Sequence, residues 1–173
     1  PDVGAVERGK YPVVLLDEYQ DTSHSQVRLL STLFGGGHPV TAVGDPCQSI
    51  YTWRGAAAGT IGAFINYFPK PADATGAKQF NLLTTYRNDQ SILDVANLIS
   101  DEVRRNDTLT VEPLRARTGA GPGNLTCGIF ENLEAESQAI VEYFLPLWGA
   151  DGVKTSDLSF AVLVRKKSQI PYI

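Results

Sequence analysis

Short apolar strands alternating with amphipathic helices predict an α/β fold with a parallel sheet, and three observations carry that expectation. Val13-Val14-Leu15-Leu16 and Pro39-Val40-Thr41-Ala42-Val43 are brief apolar runs, and each leads directly into acid, at Asp17-Glu18 and at Gly44-Asp45. One amphipathic stretch of helix length lies between them, which is the spacing of a right-handed βαβ crossover. The alternation restarts after a Gly/Pro-rich stretch at 115–123, so a second unit of the same class is expected there.

Residues 1–10 show no clear period and read as a lead-in. Tyr11–Leu16 reads as a strand buried on both faces, because four consecutive apolar residues leave no polar side. Ser23 or Ser25 can cap a helix running to about Phe34, with Val27, Leu30 and Phe34 on one face and Gly35-Gly36-Gly37 ending it. Pro39–Val43 is the second strand. A loop rich in unusual side chains spans Pro46–Ala58, and a helix is expected from about Thr60 to Tyr67. Pro69–Ala77 reads as a loop, and Lys78–Leu83 as a third strand. Gln90–Arg105 is strongly amphipathic, with Ile92, Val95, Ala96, Ile99 and Val103 on one face and Asp89 as candidate cap. Leu125–Phe130 reads as a strand. Glu131–Leu147 reads as a helix that Pro146 should kink or end. Leu158–Val164 is a last apolar strand. The expected organisation is therefore a first domain at 1–112, a linker at 113–124 and the beginning of a second domain at 125–173.

Composition narrows the class of function. The 173 residues hold 15 Lys and Arg against 19 Asp and Glu, a mildly acidic balance that argues against a surface coated by nucleic acid but leaves room for a local basic groove. Cys47 and Cys127 are isolated thiols without CxxC spacing, which suits a reducing compartment. His24 and His38 fall in no zinc-ligand pattern. No apolar run is long enough to span a bilayer, and no signal peptide is visible. The chain opens at Pro1 and contains no Met, so it reads as an excised piece.

Three segments carry chemistry. An acid pair at the end of an apolar strand is costly unless a metal ion or basic groups face it. In open α/β sheets that position is also where ligands sit. Asp17 suits Mg²⁺ held through its water shell, and Glu18 suits polarising an attacking water. A plain strand followed by a polar turn would look the same locally. Gln48 lies just past the second strand, and its neutral amide can meet a phosphate oxygen or the attacking water without repelling either. Tyr51, Trp53 and Arg54 offer two aromatic faces and a guanidinium within four positions, a combination that stacks on unpaired bases and contacts phosphate. Singly, Trp53 would more simply plug the core. Arg87 follows a strand and precedes a helix, so it can reach a γ-phosphate as an arginine finger or pair with Asp89 or Asp94.

Together these segments resemble the UvrD/Rep/PcrA-type superfamily 1 DNA helicases. Leu15-Leu16-Asp17-Glu18-Tyr19-Gln20-Asp21-Thr22 looks like their motif II, Val43–Ala56 like motif III, and Leu82–Asn88 with Ile92-Leu93 like motif IV. The match is firm over Tyr11–Arg105 and looser up to Ala161–Arg165, which is similar to an early strand of the family's second domain. The resemblance implies a P-loop NTPase, RecA-like parallel sheet with flanking helices, incomplete here, and the start of a second RecA-like domain. It implies ATP and Mg²⁺ as cofactors, with Asp17 on the metal beside Glu18 and Glu18 activating water. Gln48 would sense the γ-phosphate, Arg87 would contact it, and Trp53 would stack on a base beside Tyr51 and Arg54. Single-stranded DNA and duplex junctions are the implied partners, with no membrane, in the bacterial cytoplasm at the nucleoid.

The chain departs from the family at Cys47, where an acid or Asn is common, and at Thr85, where Asn usually precedes Tyr-Arg. The pattern Gly-x-x-x-x-Gly-Lys-Ser/Thr occurs nowhere in it, and motifs V and VI are missing. The expectation is a central fragment of an ATP-dependent DNA translocase or helicase, inactive as an ATPase by itself. The rivals are a degenerate, non-hydrolysing module that binds single-stranded DNA or a partner, and a P-loop ATPase unrelated to nucleic acid.

Overall fold

The structure, a computed structural model, describes residues 2–57, 59–69, 77–106, 111–148 and 159–173. It combines helices with small parallel sheets, an α/β arrangement. Contacts divide it into two compact units, Pro1–Leu125 and Thr126–Ile173.

In the first unit the strands β1 (Val14–Leu16) and β2 (Val40–Ala42) pair in parallel, Val14 opposite Val40 and Leu16 opposite Ala42. The helix between them, α2 (His24–Phe34), begins at Ser23 with a reciprocal capping box. The Ser23 side chain accepts from the Gln26 N–H, and the Gln26 side chain accepts from the Ser23 N–H. Such a cap is worth about 1 kcal/mol. The helix presents Val27 and Phe34 to a core completed by Tyr19 and Phe68, against which Val14, Leu16, Val40, Ala42 and Phe64 pack. Phe64 and Phe68, on and just after the one-turn helix α3 (Phe64–Tyr67), stack at 4.9 Å.

Several expectations are corrected here. Residues 1–10 are not a formless lead-in. Val3–Lys10 is a helix, α1, packed on α2. The first strand is not buried on both faces: Leu15 is 77% exposed, while Val14 and Leu16 turn inward. The reason is geometric, since this two-stranded sheet has only one covered face, and alternate residues must point away from it. The helix expected from Thr60 is regular only over α3. Lys78–Leu83 forms no strand; regular pairing is confined to β3 (Thr84–Thr85), parallel to β4 (Arg115–Ala116). Of the loop expected at Pro69–Ala77, residues 70–76 lie outside the described residues.

The amphipathic helix is present as α4 (Gln90–Asn106), but turned from the expected face. Leu93 is 1% exposed, whereas Ile99 is 73% exposed. Leu93, Asn97, Ser100 and Arg104 form the inward stripe, at helical spacing. Asn97 explains the choice. Its amide donates to the Leu114 carbonyl and accepts from the Leu114 N–H, both at 2.9 Å. The chain leading into β4 brings backbone polar groups that need partners, and the polar stripe supplies them. The stretch expected as a linker is likewise fastened to the first unit. The Gly121 and Pro122 carbonyls accept from the Gln90 and Ser91 N–H groups, and the Asp89 carboxylate accepts from the Gly121 N–H.

In the second unit, α5 (Leu133–Trp148) starts at Asn132, whose side chain accepts from the Ala135 N–H. Pro146 lies inside its last turn and does not end it before Trp148. Phe144 meets Phe160 edge to face at 5.2 Å. The strands expected at Leu125–Phe130 and Leu158–Val164 are absent from 125–130 and 159–164, and Leu158 lies outside the described residues. A strand needs a neighbour to take its N–H and C=O groups, and neither segment has one among the described residues.

Candidate functional site

Asp17 and Glu18 follow β1 directly, at the carboxyl end of the parallel pair. Both are exposed. Glu18 has φ 49°, the one positive value outside glycine among the described residues. That left-handed bend is costly for a residue with a Cβ, and it turns the chain sharply out of the strand. The next residue fixes it from inside. Tyr19 is fully buried, meets Phe64 edge to face at 5.6 Å, and donates its N–H to the Val43 carbonyl beyond β2. The end of β1 is thus pinned to the end of β2.

Gln20 completes the link. It is 3% exposed, where an unpaired amide would cost about 1–3 kcal/mol. Both ends of the amide are paired. Nε2 donates to Glu18 Oε2 at 2.6 Å, and Oε1 accepts from the Asp45 N–H at 3.1 Å. Its backbone carbonyl accepts from the Ser49 hydroxyl at 3.2 Å. Gly44 makes room, since a Cβ there would run into Gln20 Oε1 and crowd Ile61.

Asp45 then organises the following turn, a 3-10 turn at Pro46–Gln48. Its Oδ1 accepts from the Cys47 N–H and its Oδ2 from Gln48 Nε2, both at 2.9 Å, while Pro46 supplies the fixed φ of a first helical position. Gln48 is exposed, and its Oε1 carries no hydrogen bond among the described residues. Cys47 is half-buried, and burial, with Asp45 beside it, pushes its thiol pKa up, against an opposing pull from Arg104 and Ser100 of α4.

The same loop carries Tyr51, Trp53 and Arg54. Trp53 is 72% exposed and does not plug the core. The Arg54 guanidinium lies over both rings, 4.6 Å from the Trp53 centroid and 5.1 Å from that of Tyr51. A bridge between Ala56 and Ser23 returns the loop to the start of α2.

The structure thus gathers Asp17, Glu18 and Gln48 at one end of the β1–β2 pair, with Tyr51, Trp53 and Arg54 a few residues along. Arg87 is exposed between β3 and α4, and no hydrogen bond or ion pair among the described residues joins it to Asp17, Glu18 or Gln48. Sequence reasoning gave Gln20 no role and noted Asp45 only as the acid that ends the second strand. The signal for Gln20 was a polar side chain immediately after a buried aromatic, and that for Asp45 was an acid directly before Pro at a turn start.

Asp17 and Glu18 suit a magnesium ion that keeps most of its water, because such sites need few protein carboxylates. Asp17 uses Oδ1 on the Glu18 N–H and Glu18 uses Oε2 on Gln20, which leaves one oxygen of each uncommitted among the described residues. Among those residues no third His, Cys, Asp or Glu joins them in a metal-holding cluster, and no helix is long and apolar enough to cross a membrane.

Comparison with known proteins agrees with the motif resemblance. Residues 1–69 match the profile of the UvrD/REP helicase N-terminal domain. The DNA helicase II of Escherichia coli (strain K12) is 39% identical over 92 residues, covering 53% of this chain and 12% of that protein. The ATP-dependent DNA helicase Rep of Buchnera aphidicola subsp. Acyrthosiphon pisum is 33% identical over 162 residues, 92% of this chain and 23% of its own length. The ATP-dependent DNA helicase PcrA of Leuconostoc citreum is 31% identical over 169 residues, 98% of this chain and 21% of that protein. The chain thus spans between about an eighth and a quarter of the length of these relatives. The profile match, these alignments and the motifs within them all make the chain similar to the UvrD-like superfamily 1 helicases.

Proposed function

We propose that this chain is part of an ATP-dependent motor that moves along single-stranded DNA and opens duplex junctions. It would carry the later part of one RecA-like, P-loop NTPase domain and the opening of a second, with the boundary at 113–124. One observation carries the reading. An exposed acid pair follows the carboxyl end of one strand and an exposed glutamine follows that of its parallel partner, and the loop leaving the second strand displays Trp53 and Arg54 to solvent. Such a placement gives one loop a nucleotide end and a nucleic-acid end. The Rep and PcrA relatives, both ATP-dependent DNA helicases, agree with it.

In this reading Asp17, with Glu18 beside it, would hold Mg²⁺ through its water shell, and the ion would neutralise phosphate charge. Glu18 accepts the proton of the water that attacks the γ-phosphate. Gln48 presents Oε1 to that water and a free amide hydrogen to the phosphate. Arg87 reaches the γ-phosphate from the β3–α4 junction and stabilises charge in the transition state. Trp53 stacks on a base, while Arg54 and Tyr51 hold its orientation and meet the backbone. The setting proposed with it is the bacterial cytoplasm, at the nucleoid, in keeping with the organisms of the relatives.

The test is ATP turnover by the full-length parent, with and without single-stranded DNA, beside Glu18→Gln and Trp53→Ala. Turnover should rise with DNA. Glu18→Gln should lower kcat by about 100-fold or more, the scale of losing a general base, and Trp53→Ala should weaken DNA binding by about 10-fold, the scale of one stacked base. Turnover indifferent to DNA would favour an ATPase without a nucleic-acid substrate. DNA binding without any turnover would favour a binding module.

A further inference from the structure

We propose that Gln20 is a positioning residue that fastens the water-activating carboxylate to the loop carrying Gln48 and Trp53, so that the two move as one unit. The inference rests on the reading of Glu18 given above and adds to it. Glu18 is exposed, and a glutamate side chain at the surface samples several rotamers. Among the described residues the one hydrogen bond to its carboxylate comes from Gln20 Nε2, at 2.6 Å. Gln20 is itself immobilised: its side chain is almost fully buried, its Oε1 takes the Asp45 N–H, and its carbonyl takes the Ser49 hydroxyl. Asp45 in turn holds Gln48 Nε2. The path Glu18–Gln20–Asp45–Gln48 is therefore continuous, and Ser49 joins it to the segment leading to Tyr51 and Trp53.

The side chain required at position 20 follows from that path. One end must donate to a carboxylate and the other must accept from a backbone N–H, which an amide does and a carboxylate or ammonium does not. Asparagine is one methylene short of spanning the two. Gly44 fits the same requirement, since any Cβ there would displace the amide oxygen. The consequence is mechanical. A phosphate that draws Gln48 moves Asp45, and through Gln20 it moves the carboxylate that must face the water.

The experiment uses the full-length parent with ATP and an unstructured single-stranded oligonucleotide, and compares Gln20→Met, Gln20→Glu, Glu18→Gln and the Glu18→Gln/Gln20→Met double variant. Methionine keeps the length and loses both hydrogen bonds. Glutamate keeps the acceptor for Asp45 and loses the donor for Glu18. Both single Gln20 variants should lower the DNA-stimulated kcat by about 10- to 100-fold, with KM for ATP and oligonucleotide affinity within about 3-fold, as a misplaced catalytic group does. In the Glu18→Gln background, Gln20→Met should cost nothing further in single-turnover hydrolysis, because both changes remove one function. A Gln20→Met enzyme with normal kcat would overturn the proposal, as would a loss that adds to that of Glu18→Gln. If Gln20→Met does not fold, Gln20→Glu carries the same comparison. If Glu18→Gln alone leaves turnover intact, the assignment of Glu18 has failed, and that outcome is distinct from a failure at Gln20 alone.

Discussion

Tyr19 shows how one residue of the acid-ended segment serves the fold. Its ring lies in the core, and its phenol oxygen is buried with no hydrogen-bond partner among the described residues. Burial, reinforced by Tyr67, pushes the phenol up to about 12. The folded state therefore holds this proton more tightly than the unfolded chain, where tyrosine titrates near 10. The stability linked to that proton is fully present below about pH 10 and is lost as pH rises from there toward about 12. Tyr19→Phe removes an unpaired buried hydroxyl and should raise unfolding stability by about 1 kcal/mol at neutral pH. It should also flatten the alkaline loss. Urea unfolding at a series of pH values checks both; a large destabilisation by phenylalanine would mean that the hydroxyl has a partner.

At the scale of elements, α4 separates what periodicity can say from what packing decides. The helix lies where its apolar spacing placed it, yet its inward stripe runs through Leu93, Asn97, Ser100 and Arg104. Substitutions should report that orientation directly. Leu93→Ala removes a fully buried side chain and should cost about 2–4 kcal/mol. Ile99→Gln changes a mostly exposed one and should stay within about 0.5 kcal/mol. Denaturant midpoints of the two variants make the comparison, and the reverse order would restore the apolar face as the buried one. The same lesson applies to the strands. Val14–Leu16 and Val40–Ala42 pair because a capped helix returns the chain alongside, whereas 125–130 and 159–164 are as apolar and stay irregular for want of a neighbour.

At the scale of the whole molecule, the chain contains no Gly-x-x-x-x-Gly-Lys-Ser/Thr loop to cradle a triphosphate. The acid pair, Gln48 and Arg87 could polarise a phosphate but have no such loop here to hold it. The purified 173-residue chain should therefore show no steady ATP hydrolysis above background under conditions where the parent turns over. Hydrolysis by the chain that disappears in Glu18→Gln would contradict this.

The sequence by itself determined the local facts: an acid pair at a strand end, a capped helix behind it, a glutamine on the turn after the next strand, and an aromatic–arginine cluster on the same loop. Each depends on residues within a few positions of one another, so spacing and side-chain chemistry are enough to read it. Only the tertiary structure decided that Gln20 bridges Glu18 to Asp45, that α4 turns a polar stripe inward, and that Asp89 and Asn97 hold the 114–121 stretch against the first unit. Those facts join residues 17 to 32 positions apart or depend on such joins, and a buried amide or carboxylate reveals its role only when its partner arrives from elsewhere in the chain.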